Sequence, residues 1–147
     1  MGCDIHIFLE RKNSENQWVD SMVYENDRYD KEFQPLSEYP RNYTLFATLA
    51  GVRGDEPIEF PKGIPENCSP EYRKLCEDWG DDGHSHSYFT LRELEDNAKK
   101  CSENRKIALD EFILHLKNII RFVDFWLSDE RIEEIAEKFR VCFFFDN

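Results

Sequence analysis

The chain has 147 residues, 40% of them apolar and 14% aromatic, and a net charge of −12. This is one domain, residues 1–147, long enough for a real core and too aromatic for a disordered chain. The acidity excludes a long nucleic acid as a general partner, because a phosphate backbone wants a basic surface; a locally basic pocket still admits a small anion.

In chain order, "CDIHIFLERK" alternates, with Ile5, Ile7 and Leu9 on one face and Asp4, His6, Phe8 and Glu10 on the other. "NSEN" is a turn, and "QWVDSMVYE" reads as a returning strand, which gives an N-terminal hairpin. Residues 26 to 40 are polar with scattered aromatics and read as a loop. In "RNYTLFATLAGVRG" the apolar spacing is helical, Asn42 is the N-cap, and Gly51 or Gly54 ends the helix. "DEPIEFPKGIPENCSP" holds four of the six prolines and is an irregular, rigid loop. Such long loops are often functional.

A short helix follows, with Ser69 as cap, Pro70 at its first position and Gly80 as its stop. Thr90 and Glu93 form a capping box for the next helix. Residues 105 to 127 are the main core helix, carried by Ile107, Leu109, Phe112, Ile113, Leu116, Ile119, Ile120, Val123 and Leu127. "CSEN" separates it from its predecessor. His115 within it is structural. Ser128 caps a last helix. The closing "FRVCFFFDN" is apolar throughout and reads as a central strand covered on both faces, paired with the N-terminal strand. The fold class is α+β: a small antiparallel or mixed sheet packed by four or five helices.

The chemistry gathers in two places. Asp4 and His6 are two apart on a strand and share a face. "GDDGHSHSYFTLREL" puts Asp81, Asp82, His84 and His86 within six residues. In extended backbone, two histidines at this spacing point one way, which is how paired ligands reach Zn²⁺ or Mn²⁺. Asp4, His6, His84 and His86, with Asp82, would then form a catalytic divalent-metal site. Without a metal, His6, His84 and His86 can serve as general acid and base on a phosphodiester. A third reading is binding alone, with Ser87, Thr90 and the amides of the helix starting at Thr90 forming an anion cradle. Arg41 and Arg53 bracket the first helix and suit bidentate recognition of phosphate. Tyr43, Trp79, Tyr88 and Phe89 are candidates to stack on a base. Against these stand ordinary structural roles: a solvent-facing strand, a polar loop, surface ion pairs and core aromatics.

The five cysteines form no CxxC, and an odd count with no signal peptide reads as reduced thiols in a cytoplasmic protein. Cys3 reads as a buried small residue. No apolar run reaches the length of a membrane span. "MGCDIH" lacks the Ser or Thr that N-myristoylation expects at position 6.

Taken together, "MGCDIH", "RNYTLFATLAGVRG", "PKGIPENCSPE", "DGHSHSYFTLREL" and "RVCFFFDN" resemble a family of small, uncharacterised phage and prophage proteins. That family opens on C-D-I-H and carries R-N-Y-x-L-F-x-x-L-A-x-V-R and D-x-H-S-x-S-[WY]-L-T-x-x-E-L before a closing F-D-N. The likeness runs from residue 1 to 147, with variable segments at 11–38 and 95–138. Phe89 departs from it, standing where Leu is usual. The resemblance marks Asp4, His6, Arg41, Asn42, Arg53, His84 and His86, and it implies a viral origin and the host-cell cytoplasm, but supplies no reaction. Its context is counter-defence: a protein that binds, and also cleaves if it is an enzyme, a nucleotide second messenger of cyclic nucleotide or cyclic ADP-ribose type. The alternatives are a metal-dependent hydrolase and an acidic inhibitor of a host enzyme. None of this sets the oligomeric state, and a homo-oligomer is compatible with it.

Overall fold

The structure is a computed structural model that describes residues 2–21 and 38–147. Five strands make one antiparallel sheet: β1 (Asp4–Lys12), β2 (Trp18–Asp20), β3 (Glu38–Tyr39), β4 (His84–Thr90) and β5 (Phe139–Asp146). The order is β2-β1-β5-β4, and β3 also pairs with β1. Among the described residues five α-helices join them: α1 (Tyr43–Ala50), α2 (Pro70–Trp79), α3 (Leu91–Ala98), α4 (Glu103–Val123) and α5 (Asp129–Glu134). The α+β class and the pairing of N- and C-terminal strands are as expected.

The two faces of the sheet are covered unequally. Ile5, Ile7 and Leu9 of β1 and Phe139, Val141, Phe143 and Phe145 of β5 join the main core with α1, α3, α4 and α5. On the other face Cys142 and Phe144 pack beneath α2, against Tyr72 and Cys76, with Phe8 and Trp79 alongside. This is why β5 is apolar at nearly every position, whereas β1 alternates. All five cysteines are free thiols, and Cys3 is buried.

The helix caps are those the sequence predicts. Asn42 accepts from the Leu45 N–H at 3.0 Å, Ser69 from Tyr72, Ser128 from Arg131, and Thr90 with Glu93 completes the capping box. Gly51 ends α1 with φ +73.

Four expectations change. The returning strand of the hairpin is only three residues long among the described ones, and residues 22–37 lie outside them. Glu38 and Tyr39, read as loop, pair with His6 and Ile5. The main helix stops at Val123 instead of 127, with Asp124 as its C-cap. Ile107, read as core, is half exposed. The Pro-rich loop also has a structural use. The Gly63 N–H donates to the His86 carbonyl at 2.8 Å and the Lys62 N–H to Ser87 Oγ at 3.2 Å, so the loop lies along β4, whose outer side is the open edge of the sheet. An edge covered in this way is protected from pairing with another chain.

Candidate functional site

The second face of the sheet carries the polar groups of interest. Its rows are set by register: Asp4 lies opposite Asp146, His6 opposite Phe144, Phe8 opposite Cys142 and Glu10 opposite Arg140. Two aspartates directly opposed repel, and each has a cation or donor of its own. Asp4 takes two bonds from Arg41, at 2.7 and 3.3 Å, and these hold its carboxyl below the usual range. Asp146 takes the diagonal His6, with Nε2 to Oδ2 at 2.8 Å. A carboxylate only accepts, so the proton on that bond is the imidazole's, and in the neutral ring Nδ1 carries the lone pair. The His6 and Asp146 side chains are 15% and 17% exposed, held but reachable.

Two rings fix the dyad. The Trp79 indole lies 4.3 Å from the His6 ring and Phe144 lies 5.0 Å from it. Trp79 is brought there because α2 spans this face and ends on it. Gly80, at φ +53, turns the chain away. Gly2 lets Arg41 reach Asp4: a Cβ there would stand 2.0 Å from the guanidinium.

The other corner residues come from α1 and its exit. The Tyr43 hydroxyl accepts from the Cys3 N–H at 3.4 Å, and Arg53 lies over the Tyr43 ring at 5.5 Å. Burial raises the Cys3 thiol pKa, and Arg53, Asp146, Asp4 and Arg41 all act on that thiol through space. Those four charged groups therefore surround one end of the sheet. His84 joins them at its rim, with Nε2 3.4 Å from Asn147 Oδ1.

The histidine pair departs from expectation. Residues 84–90, read as the stretch before a helix, are a strand, and it is bulged. His84 pairs with Phe145 and Ser87 with Phe143, three steps against two. Ser85 takes up the extra residue at φ +57. The imidazoles therefore do not point one way. His84 sits on the Phe145 side, 6.3 Å from that ring, and His86 stacks on Phe144 at 5.1 Å on the opposite face. β5 also lies between β1 and β4. His6 and His86 flank Phe144 from two strands, roughly 10 Å apart. Among the described residues no three His, Cys, Asp or Glu side chains converge to hold a metal ion, so Asp4, His6, His84 and His86 are not assembled as one ligand set. Burial, and then His84, push the His86 pKa down.

The remaining candidates have local partners. Asn42 caps α1, Ser87 is buried under the Lys62 amide, and Thr90 caps α3. Thr90 stands at the far end of β4, about 20 Å from His84, so the α3 N-terminus does not join the corner. Asp82 is exposed in the turn before β4. Of the candidate stacking residues, Phe89 is core and Tyr88 flanks Arg140. Trp79 stands against His6, while Tyr43 is the exposed one.

Two residues with a part here were not singled out. Asp146 had only its place in a closing F-D-N to mark it, and Gly2 had nothing local. The bulge itself is testable. Ser85→Val places a β-branched residue at positive φ and is expected to cost about 1–3 kcal/mol in thermal unfolding, with Ser85→Gly close to neutral. A valine variant as stable as the parent would mean that the bulge is not kept.

Among the described residues no helix is long and apolar enough to cross a membrane. No protein-family model, no curated protein and no solved structure matches this chain.

Proposed function

We propose that this protein binds a small nucleotide-type ligand at the sheet corner formed by Asp4, His6, Arg41, Arg53, Trp79 and Asp146. The observation that carries this reading is the mostly buried His6–Asp146 dyad held against an indole, with two arginines at the same end of the sheet. An indole beside acceptor carboxylates suits a base with exocyclic donors. Arginine suits phosphate. Arg41 is already bridged to Asp4, but both side chains are about half exposed. Such a bridge is worth at most about 1 kcal/mol, so an incoming phosphate competes for it.

The geometry favours binding over turnover. His84 and His86 face opposite ways, and His86 is far from His6, so His86 does not flank one phosphodiester with either of them. The resemblance to phage proteins makes the ligand a host nucleotide signal, and the protein a counter-defence sponge in the host cytoplasm.

The test is incubation with cyclic di- and trinucleotides and cyclic ADP-ribose isomers, followed by chromatography before and after heat denaturation. One ligand is expected to disappear and to return intact on heating. His6→Ala and Arg41→Ala are each expected to weaken its binding at least about tenfold, with unchanged circular dichroism. A new product peak would replace the sponge by an enzyme. No depletion of any ligand would end the nucleotide reading.

A further inference from the structure

Residues 51–57 leave α1 in a strained turn. Gly51, Arg53 and Glu56 have positive φ, at +73, +58 and +55. Glycine takes that conformation freely, whereas arginine and glutamate take it at a cost. Glu56 also precedes Pro57, whose ring restricts the residue before it. The turn folds back closely on α1: a Cβ on Gly54 would stand 2.6 Å from the Ala47 Cβ. Strain of this kind persists only where the surroundings over-determine it, and it gathers at ligand sites.

The surroundings here are α1 and one side chain of α4. The ends of the turn are tied to α1, with the Val52 N–H on the Phe46 carbonyl at 3.3 Å and the Ile58 N–H on the Thr48 carbonyl at 2.8 Å. Its middle is gripped by Arg105, which donates from Nη2 to the Asp55 carbonyl at 2.7 Å and from Nη1 to the Glu56 carbonyl. The two acceptors are consecutive along the chain. A planar guanidinium fork holds both at once, and the point charge of a lysine does not reproduce that geometry.

What the turn presents is Arg53. Its guanidinium lies 5.5 Å over the Tyr43 ring. It acts through space on Cys3, whose other charged neighbours are Asp4, Asp146 and Arg41. The left-handed φ of Arg53 sets the direction in which its side chain leaves the backbone, so the strain and the placement of this cation are one feature.

We infer that Arg105 is a positioning residue of the ligand corner, holding the turn of residues 51–57 in its strained form and so holding Arg53 where the phosphate of the ligand arrives. The inference rests on the binding reading proposed above. With its fork on the two carbonyls, Arg105 acts through Arg53 and not on the ligand.

A double-mutant cycle tests this, read by titration calorimetry with cyclic di-AMP, cyclic di-GMP and cyclic ADP-ribose as probes. Arg105→Lys keeps the charge and loses the fork. It is expected to weaken binding of the probe that the parent takes up about tenfold, with unchanged circular dichroism, and Arg53→Gly to weaken it at least as much. Added to Arg53→Gly, Arg105→Lys should cause no further loss, because the turn then has no cation to position. Losses that multiply across the two positions would overturn the inference, since Arg105 would then act without Arg53. So would an Arg105→Lys variant that binds like the parent. Either result leaves the nucleotide reading standing, because the parent still binds. A parent that takes up none of the probes removes that reading and this inference together.

Discussion

Replacing Glu10 with alanine is expected to cost about 3–5 kcal/mol, a large share of the stability of a domain this size. Glu10 is fully buried and has three partners. Its Oε1 accepts from Arg140 Nε at 2.7 Å and from the Cys142 thiol at 3.3 Å, and its Oε2 accepts from the Ser69 N–H at 2.6 Å. Ser69 is the N-cap of α2, so the carboxylate also sits at the favourable end of that helix. Alanine would leave Arg140 buried between Trp18 and Tyr88, at 4.3 and 5.4 Å, with Asn67 as its remaining hydrogen-bond acceptor. Among the described residues its Nη2 already lacks a partner. Removing one member of a buried pair costs far more than replacing both. Chemical denaturation should therefore find Glu10→Leu with Arg140→Met well above Glu10→Ala. The consequence reaches the His6–Asp146 corner, because α2 carries Trp79. A loss below about 1 kcal/mol for Glu10→Ala would show that this pair does not hold α2 to the sheet.

The second large effect is a dependence on pH in the joint between α3, α4 and α5. Burial, and then a hydrogen bond with Glu133, push the Glu95 carboxyl up to about 7. The same bond and the Lys117 ammonium hold Glu133 low. Lys117 bonds Glu133 and lies 3.9 Å from Glu95, while Arg92 donates to the Glu133 carbonyl and to Glu137. Near neutrality the two carboxyls thus share one proton. A carboxyl with a folded pKa above its unfolded value binds more protons when folded. Its contribution is present in full below about pH 4.5 and is lost as pH rises through about 7. Each pKa unit is worth about 1.4 kcal/mol; the depressed Glu133 titrates below this window, and partial solvent screening of the pair reduces the effect to about 1–2 kcal/mol. Glu95→Gln keeps a donor to Glu133 and has nothing to titrate. Its stability relative to the parent should therefore rise by about 1–2 kcal/mol between about pH 5 and about pH 8, read from urea denaturation at each pH. A difference that stays flat across that window would show that no proton is shared.

Much of the fold was legible because it is decided locally. The caps at Asn42, Ser69, Thr90 and Ser128 each depend on one side chain and an amide within three residues. The alternation of β1 and the apolar run of β5 report which faces are covered. Asp4, His6 and Arg41 could be named from their chemistry, and they do gather at one corner.

What the sequence could not convey is which residues meet across the sheet. Insertion of β5 between β1 and β4 separates His6 from His86, and no local pattern states strand order. The bulge at Ser85 turns His84 and His86 to opposite faces, since one unpaired residue inverts a period of two. The Glu10–Arg140 pair joins positions 130 residues apart, and Asp146 reaches His6 only through that same register. Ile107 and Leu114 are apolar residues of α4, but only packing shows that they face outward. Composition, caps and periodicity are short-range properties and the sequence determined them by itself. The His6–Asp146 contact and the Glu95–Glu133 pairing depend on register and layer order, which no short-range pattern carries.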